Sequence, residues 1–441
     1  MTAERLSAID ASFLAVESPS TPMHVGWVAR FDPPEDGPRP SAQELIDHIG
    51  ARMRRAHRYR QRLADVPLGV HEPVWVDDPS FDPARHLHAA DGDVDALVDD
   101  VLSVPLERDR PLWEMWVAGD PIVIVGKAHH CMVDGTAVVE LGNLLLDASP
   151  DADEAPGEEW APQPEPTPGQ RLGRAIADRT GEVASLALAP LRLRPRTLPG
   201  AARLVAHTVI PPAPGSPLNQ PGSARRHHVR VTRPLDQLRA VRKRFRVTPN
   251  DVVLATCAGA LRSFCARRGE RPRALKAMVP ADVRTSADAA EGNRISFLFI
   301  ALPCDEPDPV ARLEAVGRAT AQRRRDGEAE DLDTAFRVLA LTPQPVQRAL
   351  AHAFAHPRLF NLTISSVPGP AVPRYLRGCR LREVHSAVPL GARHGLSIGV
   401  VMVAGNACFG IYADPSTVPD ADVLASDLEV ALDELLEAAG A

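Results

Sequence analysis

Apolar residues alternate with polar or small ones in HVGWVARF (His24 to Phe31), and two further apolar stretches, LWEMWVAG and PIVIVG, follow at residues 112–119 and 121–126. A period of two puts alternate side chains on opposite faces of an extended chain, so these stretches predict strands. Helices are predicted near Ala42 to Arg55 and Asp93 to Leu102. Later in the chain, Thr248-Pro249 has the form of a helix N-cap followed by proline in the first turn. Val253, Cys257, Leu261, Phe264 and Cys265 then recur at helical spacing until Gly269. Further strands are predicted at Leu275 to Val279, Ser296 to Pro303, Leu362 to Val367, Leu396 to Val403 and Ala407 to Ala413, with a last helix from about Asp420 to Leu436. Both halves therefore read as α/β.

Between them, Ala148 to Pro168 is acidic, proline-rich and without apolar periodicity, as expected of a linker. The following segment, Gln170 to Ile210, is compatible with a helix and rich in arginine: Arg171, Arg174, Arg179, Arg192, Arg194, Arg196 and Arg203. Two readings fit it, a crossover helix packed on the body with solvated arginines, or a membrane-surface segment. At 441 residues the chain is longer than one hydrophobic core usually supports, which favours two domains. The expected boundaries are residues 1–147, a linker and crossover segment at 148–215, and residues 216–441.

A formal net charge of -7 argues against nucleic acid as the principal partner, because phosphate binding needs a dominant basic surface. The six cysteines are scattered, with no CxxC pair, and MTAERLSAID lacks the basic and apolar regions of a signal peptide. With no apolar run of about 18 residues, a cytoplasmic, non-spanning protein is expected.

The stretch KAHHCMVDG (Lys127 to Gly135) carries the candidate chemistry. It sits behind the PIVIVG strand and before a predicted helix, Thr136 to Leu146, whose Val138, Leu141 and Leu145 share a face. A histidine projected from a strand end into a cleft can act as a general base, since imidazole is largely neutral near pH 7. Zinc would need a third ligand and usually HExxH spacing, and neither appears beside His129 and His130. Spacing alone leaves catalysis and a structural histidine pair as alternatives.

HHxxxDG is the signature of the CoA-dependent acyltransferase superfamily, and the surrounding residues resemble the bacterial wax ester synthase/diacylglycerol acyltransferase family. The resemblance begins with LSAIDASFLAVESPSTPMHVG (Leu6 to Gly26) and RPLWEMWV. It continues with SPLN (Ser216 to Asn219), TPNDVVLATCAGALR (Thr248 to Arg262), VPADVR (Val279 to Arg284), EGN (Glu291 to Asn293), SSVPGP (Ser365 to Pro370) and FGIYADPSTVPD (Phe409 to Asp420). It implies two chloramphenicol-acetyltransferase-like α/β domains joined by a long linker, with an active-site tunnel between them. It further implies transfer of a long-chain acyl group from acyl-CoA, as substrate rather than cofactor, to diacylglycerol or a fatty alcohol, with no metal. His130 is then the base, supported by His129 and Gly135, and Asp134 holds the turn and the imidazole. Asn250 and Asp251 match the family's ND motif, with helix capping as the competing role, and Pro111, Leu112 and Trp113 line or brace the channel. A peripheral association with the inner membrane face or lipid droplets would suit such substrates.

Four features depart from the family pattern or lie outside it. Ser365-Ser366 stands where Ser-Asn is usual, and Gly395-Leu396-Ser397 where GLN is common, both bearing on substrate preference. Arg393 and His394 are expected as surface charges, with substrate contact as the competing role. With no Walker loop or GxGxxG turn, the CoA phosphates would need scattered cations such as Arg225, Arg226, Arg230 and Arg284. Competing functions are acyl transfer with a carrier-protein donor or a natural-product alcohol, and a non-catalytic lipid-binding protein.

Overall fold

Two six-stranded sheets organise the chain. The computed structural model describes residues 4–133, 141–151, 160–192, 211–282, 295–339 and 342–441. Its strands before the linker are β1 (His24–Asp32), β2 (Gln61–Ala64), β3 (Val74–Asp77), β4 (Leu87–Ala90), β5 (Trp113–Gly119) and β6 (Ile122–His129). After it come β7 (His227–Pro234), β8 (Leu275–Asp282), β9 (Ile295–Leu302), β10 (Leu362–Pro368), β11 (Tyr375–Leu376), β12 (Cys379–Ala387), β13 (Leu396–Val403) and β14 (Asn406–Ala413). The helices are α1 (Ala8–Val16), α2 (Ala42–Met53), α3 (Val94–Ser103), α4 (Pro168–Arg192), α5 (Leu235–Phe245), α6 (Pro249–Arg267), α7 (Pro309–Arg325), α8 (Glu328–Leu339), α9 (Gln344–Phe354) and α10 (Ala421–Ala439).

Local chemistry explains the elements that position the site. Ser41 and Glu44 form a reciprocal capping box that starts α2, which then buries Leu45, Ile46, Ile49 and Met53 along one stripe. Every residue of β6 is buried, so PIVIVG reads as a continuous apolar run rather than an alternating one. Thr248 and Asp251 cap α6 in the same reciprocal way. Its wall of Val253, Leu254, Cys257, Leu261 and Phe264 forms the second core together with Leu428, Leu432 and Leu435 of α10.

The sheets are not divided between the chain halves. The first runs β11-β12-β1-β6-β5-β4 and the second β7-β14-β13-β10-β8-β9, while β2 and β3 form a separate antiparallel pair. Thus residues 375–387, within the range expected for the second domain, add two strands to the first sheet; β12 pairs antiparallel with β1 from Gly26↔Ala387 to Asp32↔Arg380. Where β12 crosses the second sheet, Gly399 and Gly410 lie opposite each other on β13 and β14. A Cβ at Gly410 would collide with the carbonyl oxygen of Ser386, and one at Gly399 with the Ser386 hydroxyl. The pair makes a notch that seats β12.

Charged groups reinforce the junction. Arg226, expected at a substrate-facing surface, is 4% exposed. Its guanidinium donates to the carbonyls of Ser20 at 2.9 Å, Ser223 at 2.6 Å and Arg225 at 2.8 Å, and lies 3.8 Å from Asp414. His227 bridges Asp99 at 2.6 Å and Asp422 at 3.0 Å, and Arg230 pairs with Asp95. These cations bind the two units together, which removes Arg226 and Arg230 from the set free to meet a nucleotide. Arg284 lies outside the described residues.

The described part of the linker packs against the body. Trp160 meets Phe81 edge-on and takes the Arg60 guanidinium over its ring at 4.5 Å. Among the described arginines of the crossover segment, Arg171 is held by Glu165 and the carbonyl of Pro166, and Arg179 by Glu182 and the carbonyls of Val70 and Thr342. The packed-helix reading therefore describes α4 as far as Glu182; α4 runs on to Arg192, and residues 193–210 lie outside the described set.

Gly410→Ala tests the notch. Overpacking against backbone that cannot retreat is expected to cost about 1–3 kcal/mol, read as a lower urea midpoint with an unchanged denaturant slope.

Candidate active site

The histidine turn is built by backbone hydrogen bonds from three segments. His129 ends β6, and its N–H donates to the carbonyl of Leu112 at 2.9 Å. The next N–H, of His130, donates to the carbonyl of Met23 at 2.8 Å, and the Met132 N–H closes back on the carbonyl of His129 at 2.9 Å. Adjacent residues at a strand end point to opposite sides. His129 accordingly turns inward and is 1% exposed, while His130 is half-buried and borders a cavity. Asp134, Gly135 and the start of the predicted helix lie outside the described residues. The chain is helical again at 141–145, and Arg52 anchors that end, donating to the carbonyl of Leu145 at 2.9 Å and to both Asp147 oxygens at 2.7 and 2.8 Å.

The Phe13 ring of α1 stacks on the His130 imidazole, with centroids 3.9 Å apart and planes 9° from parallel. On the strand side His24 stands beside His129 in the β1–β6 register and is pushed down to about 3 by burial, aided by the charge of Lys127, so it is a neutral neighbour. Lys127 itself is buried, and its ammonium donates to the carbonyls of Val101 at 2.9 Å and Val104 at 2.7 Å. Burial raises the Cys131 thiol well above its ordinary range. The cysteine beside the histidines is thus protonated and no nucleophile.

The cavity has a volume of about 1200 Å³ and lies between the two units. His130, Trp27 and Phe31 line it from the first sheet side, Phe13 from α1, and Thr363, Ser365 and Ser366 from β10. Its far wall is aromatic: Phe297, Phe336, Phe354 and Phe360 line it, and the first three pack against one another at centroid distances of 5.5–6.3 Å. A long apolar chain fits such a wall; among the described residues no group of three histidine, cysteine or carboxylate side chains is placed to hold a metal.

Comparison with known proteins decides the family. The profile of the wax ester synthase/diacylglycerol acyltransferase catalytic domain matches residues 6–253, and that of the WS/DGAT C-terminal domain matches residues 291–436. The chain belongs to this family. A Mycobacterium tuberculosis (strain CDC 1551 / Oshkosh) protein provisionally named a diacylglycerol O-acyltransferase is 31% identical over 98% of this chain and 90% of its own. The probable diacylglycerol O-acyltransferase tgs1 of the H37Rv strain is also 31% identical, over 98% of this chain and 95% of its own. Among solved structures, the wax ester synthase/diacylglycerol acyltransferase of Marinobacter aquaeolei VT8 superposes with a TM-score of 0.73 at 24% identity, covering 99% of this chain and all of that one. A trichothecene 15-O-acetyltransferase of Fusarium sporotrichioides shares the fold at a TM-score of 0.65, with 13% identity and 98% and 94% coverage. This member of the family is therefore an acyltransferase with the expected two-unit α/β architecture.

Within this family member the other motif residues separate into lining and framework. Ser365 and Ser366 face the cavity, so the departure from Ser-Asn lies on the cavity wall. Ser397 does not; it is 1% exposed and donates to the carbonyl of Val388 at 2.7 Å. Leu112 and Trp113 are fully buried, and the Trp113 indole donates to the carbonyl of Tyr59 at 2.7 Å and stacks on His86 at 4.6 Å. With Pro111 accepting the Trp113 N–H at 2.9 Å, the PLW segment braces the turn through Leu112 and does not line the cavity. Asp251 lies in the second core: it caps Thr248 and accepts from the Thr320 hydroxyl at 2.6 Å. Neither Asn250 nor Asp251 is a lining residue. His394, expected at the surface, is buried between the carbonyls of Phe360 at 3.1 Å and Ala392 at 3.0 Å and stacks on Phe360, whereas Arg393 is exposed. The backbone explains the contrast, since a positive φ of 63° at Arg393 turns the following side chain inward.

Sequence reasoning missed Phe13, Glu17 and Arg52 as parts of the site. A signal existed in the first two, four residues apart and thus on one side of a helical turn.

Removing the Asp251 carboxylate by Asp251→Ala is expected to cost about 1–3 kcal/mol through the lost cap and the orphaned Thr320 bond, measured by urea denaturation. An unchanged midpoint with lost turnover would instead assign it to the chemistry.

Proposed function

We propose that this acyltransferase moves a long-chain acyl group from acyl-CoA to the hydroxyl of diacylglycerol or a fatty alcohol, making triacylglycerol or wax ester, with His130 as general base. The carrying observation is the His130 imidazole, held by Phe13 at the border of a large, aromatic-walled cavity between the two units. In the proposed step the imidazole takes the hydroxyl proton as the alcohol oxygen attacks the thioester carbonyl. The tetrahedral intermediate then expels the CoA thiolate, which takes the same proton back. The cycle needs only the two substrates and no covalent acyl-enzyme, and the protonated Cys131 offers no competing nucleophile. Asp134 and Gly135 complete the turn and orient the imidazole in this reading. Arg225 is exposed and remains available to the nucleotide phosphates.

The acceptor is a lipid, and we place the protein in the cytoplasm at membrane or lipid-droplet surfaces. Among the described residues no helix is long and apolar enough to cross a membrane. Contact is supported instead by apolar side chains near the cavity: Leu350 lines it yet is 46% exposed, Val346 one turn earlier on α9 is 43% exposed, and Leu68 is 88% exposed. Leu68 belongs to the same turn as Gly69, which faces Gln344 at the start of α9. Burying such side chains in lipid is worth about 1.5–3 kcal/mol each.

The reaction is tested with purified protein, palmitoyl-CoA and a panel of alcohols including a diacylglycerol, following thiol release. His130→Ala should lower kcat by about 100- to 10,000-fold, the range of general-base catalysis, and His129→Ala by less. The reverse ranking would exchange the two roles, and turnover only with an acylated carrier protein would overturn the donor. In liposome flotation the protein is expected to bind, and Leu68→Ser with Val346→Ser to weaken binding at least tenfold at any salt concentration; binding abolished by salt alone would point to arginines instead.

A further inference from the structure

Helix α1 reaches the histidine turn with two side chains. Phe13 meets His130, and Glu17, four residues later at the helix C-cap, meets His129. The Glu17 carboxylate is 11% exposed and has three neighbours. Its Oε1 accepts the Met23 N–H at 3.2 Å and lies 3.2 Å from Nε2 of His129, while its Oε2 accepts Nε–H of Arg108 at 3.1 Å. Met23 is also the residue whose carbonyl receives the His130 N–H.

The other side of the His129 ring completes the picture. Its Nδ1 accepts the Cys131 N–H at 3.1 Å and must therefore carry the lone pair. The ring proton then sits on Nε2, the atom that faces Glu17. The Cys131 N–H at Nδ1 and the Glu17 carboxylate 3.2 Å from Nε2 favour the same tautomer and ring plane. The ring plane in turn sets the Cys131 N–H and the path of the chain through His130.

We propose that Glu17 is a positioning residue for acyl transfer: it locks His129 as the Nε2–H tautomer and, through Met23, seats the His130 backbone so that its imidazole meets the substrate hydroxyl. The role rests on the acyl-transfer reading of His130. Burial works to raise the pKa of Glu17 but is outweighed by His129, Arg108 and the Met23 N–H, which hold it at about 2, so the anchor is a carboxylate at any physiological pH.

The test compares Glu17→Ala and Glu17→Gln with wild type, alone and combined with His129→Ala. Glutamine keeps an acceptor oxygen toward Met23 and His129, so its kcat should stay within about threefold of wild type. Alanine should lower kcat 10- to 100-fold with the KM for palmitoyl-CoA within twofold, because binding is untouched and only the base is misplaced. Adding His129→Ala to Glu17→Ala should cost little more, since the two act as a unit. Should the alanine variant fail to fold, Glu17→Asp, which withdraws the carboxylate by one methylene, takes its place under the same expectations. Long-range proton–nitrogen spectra of histidine-labelled protein, with signals assigned by His129→Ala, provide a readout independent of turnover: Nε2–H for His129 in wild type, and tautomer exchange once the carboxylate is gone. A kcat that survives Glu17→Ala, fully additive losses, or an unchanged His129 tautomer would each overturn the proposal. Failure of the reaction itself would show separately, as a wild type with intact spectra and no turnover.

Discussion

The backbone of Ser386 passes through a gap that exists only because Gly399 and Gly410 carry no side chains, and the arrangement of the whole molecule hangs on that passage. Close-packed interiors transmit such a contact instead of absorbing it. Strand β12 is pressed against the second sheet on its face and hydrogen-bonded to β1 along its edge, and β1 in turn pairs with β6, at whose end the histidines sit. One crossing therefore fixes the separation of the two sheets, the width of the cavity between them and the depth at which His130 meets it.

Much of this was legible locally. The buried run of β6 and the Thr248-Pro249 start of α6 announce themselves because their neighbours along the chain carry the whole signal. Strand β12 does not. Its sequence CRLREVHSA places Cys379 and Leu381 inward and Arg380 and Arg382 outward, a pattern that fits any half-covered edge, and nothing in it names a partner some 350 residues away. The same holds for the aromatic wall, assembled from Phe297, Phe336, Phe354 and Phe360 on four separate segments.

Charge misleads for a related reason. A run such as Ala-Arg-Arg-His reads as surface, yet Arg226 is buried because carbonyls from Ser20, Ser223 and Arg225 converge on it, replacing water donor by donor. His394 follows the same rule beside an exposed Arg393. Whether a polar side chain is solvated depends on acceptors supplied by distant segments. The histidine pair is the converse case: strand alternation separates an inward His129 from a cavity-facing His130, so their opposite orientations follow from local sequence even though their neighbours Phe13 and Glu17 do not.

The late arrival of β12 has a consequence for synthesis. A chain growing on the ribosome completes β1, β4, β5 and β6 long before residue 379 is made, and until then the edge of β1 that will receive β12 has no partner. An open edge beside a strand as apolar as Ile122–Val125 of β6 is a template for pairing with other nascent chains. The first sheet thus reaches its full set of strands only when residues 375–387 have been made, so its edge stays open through most of translation.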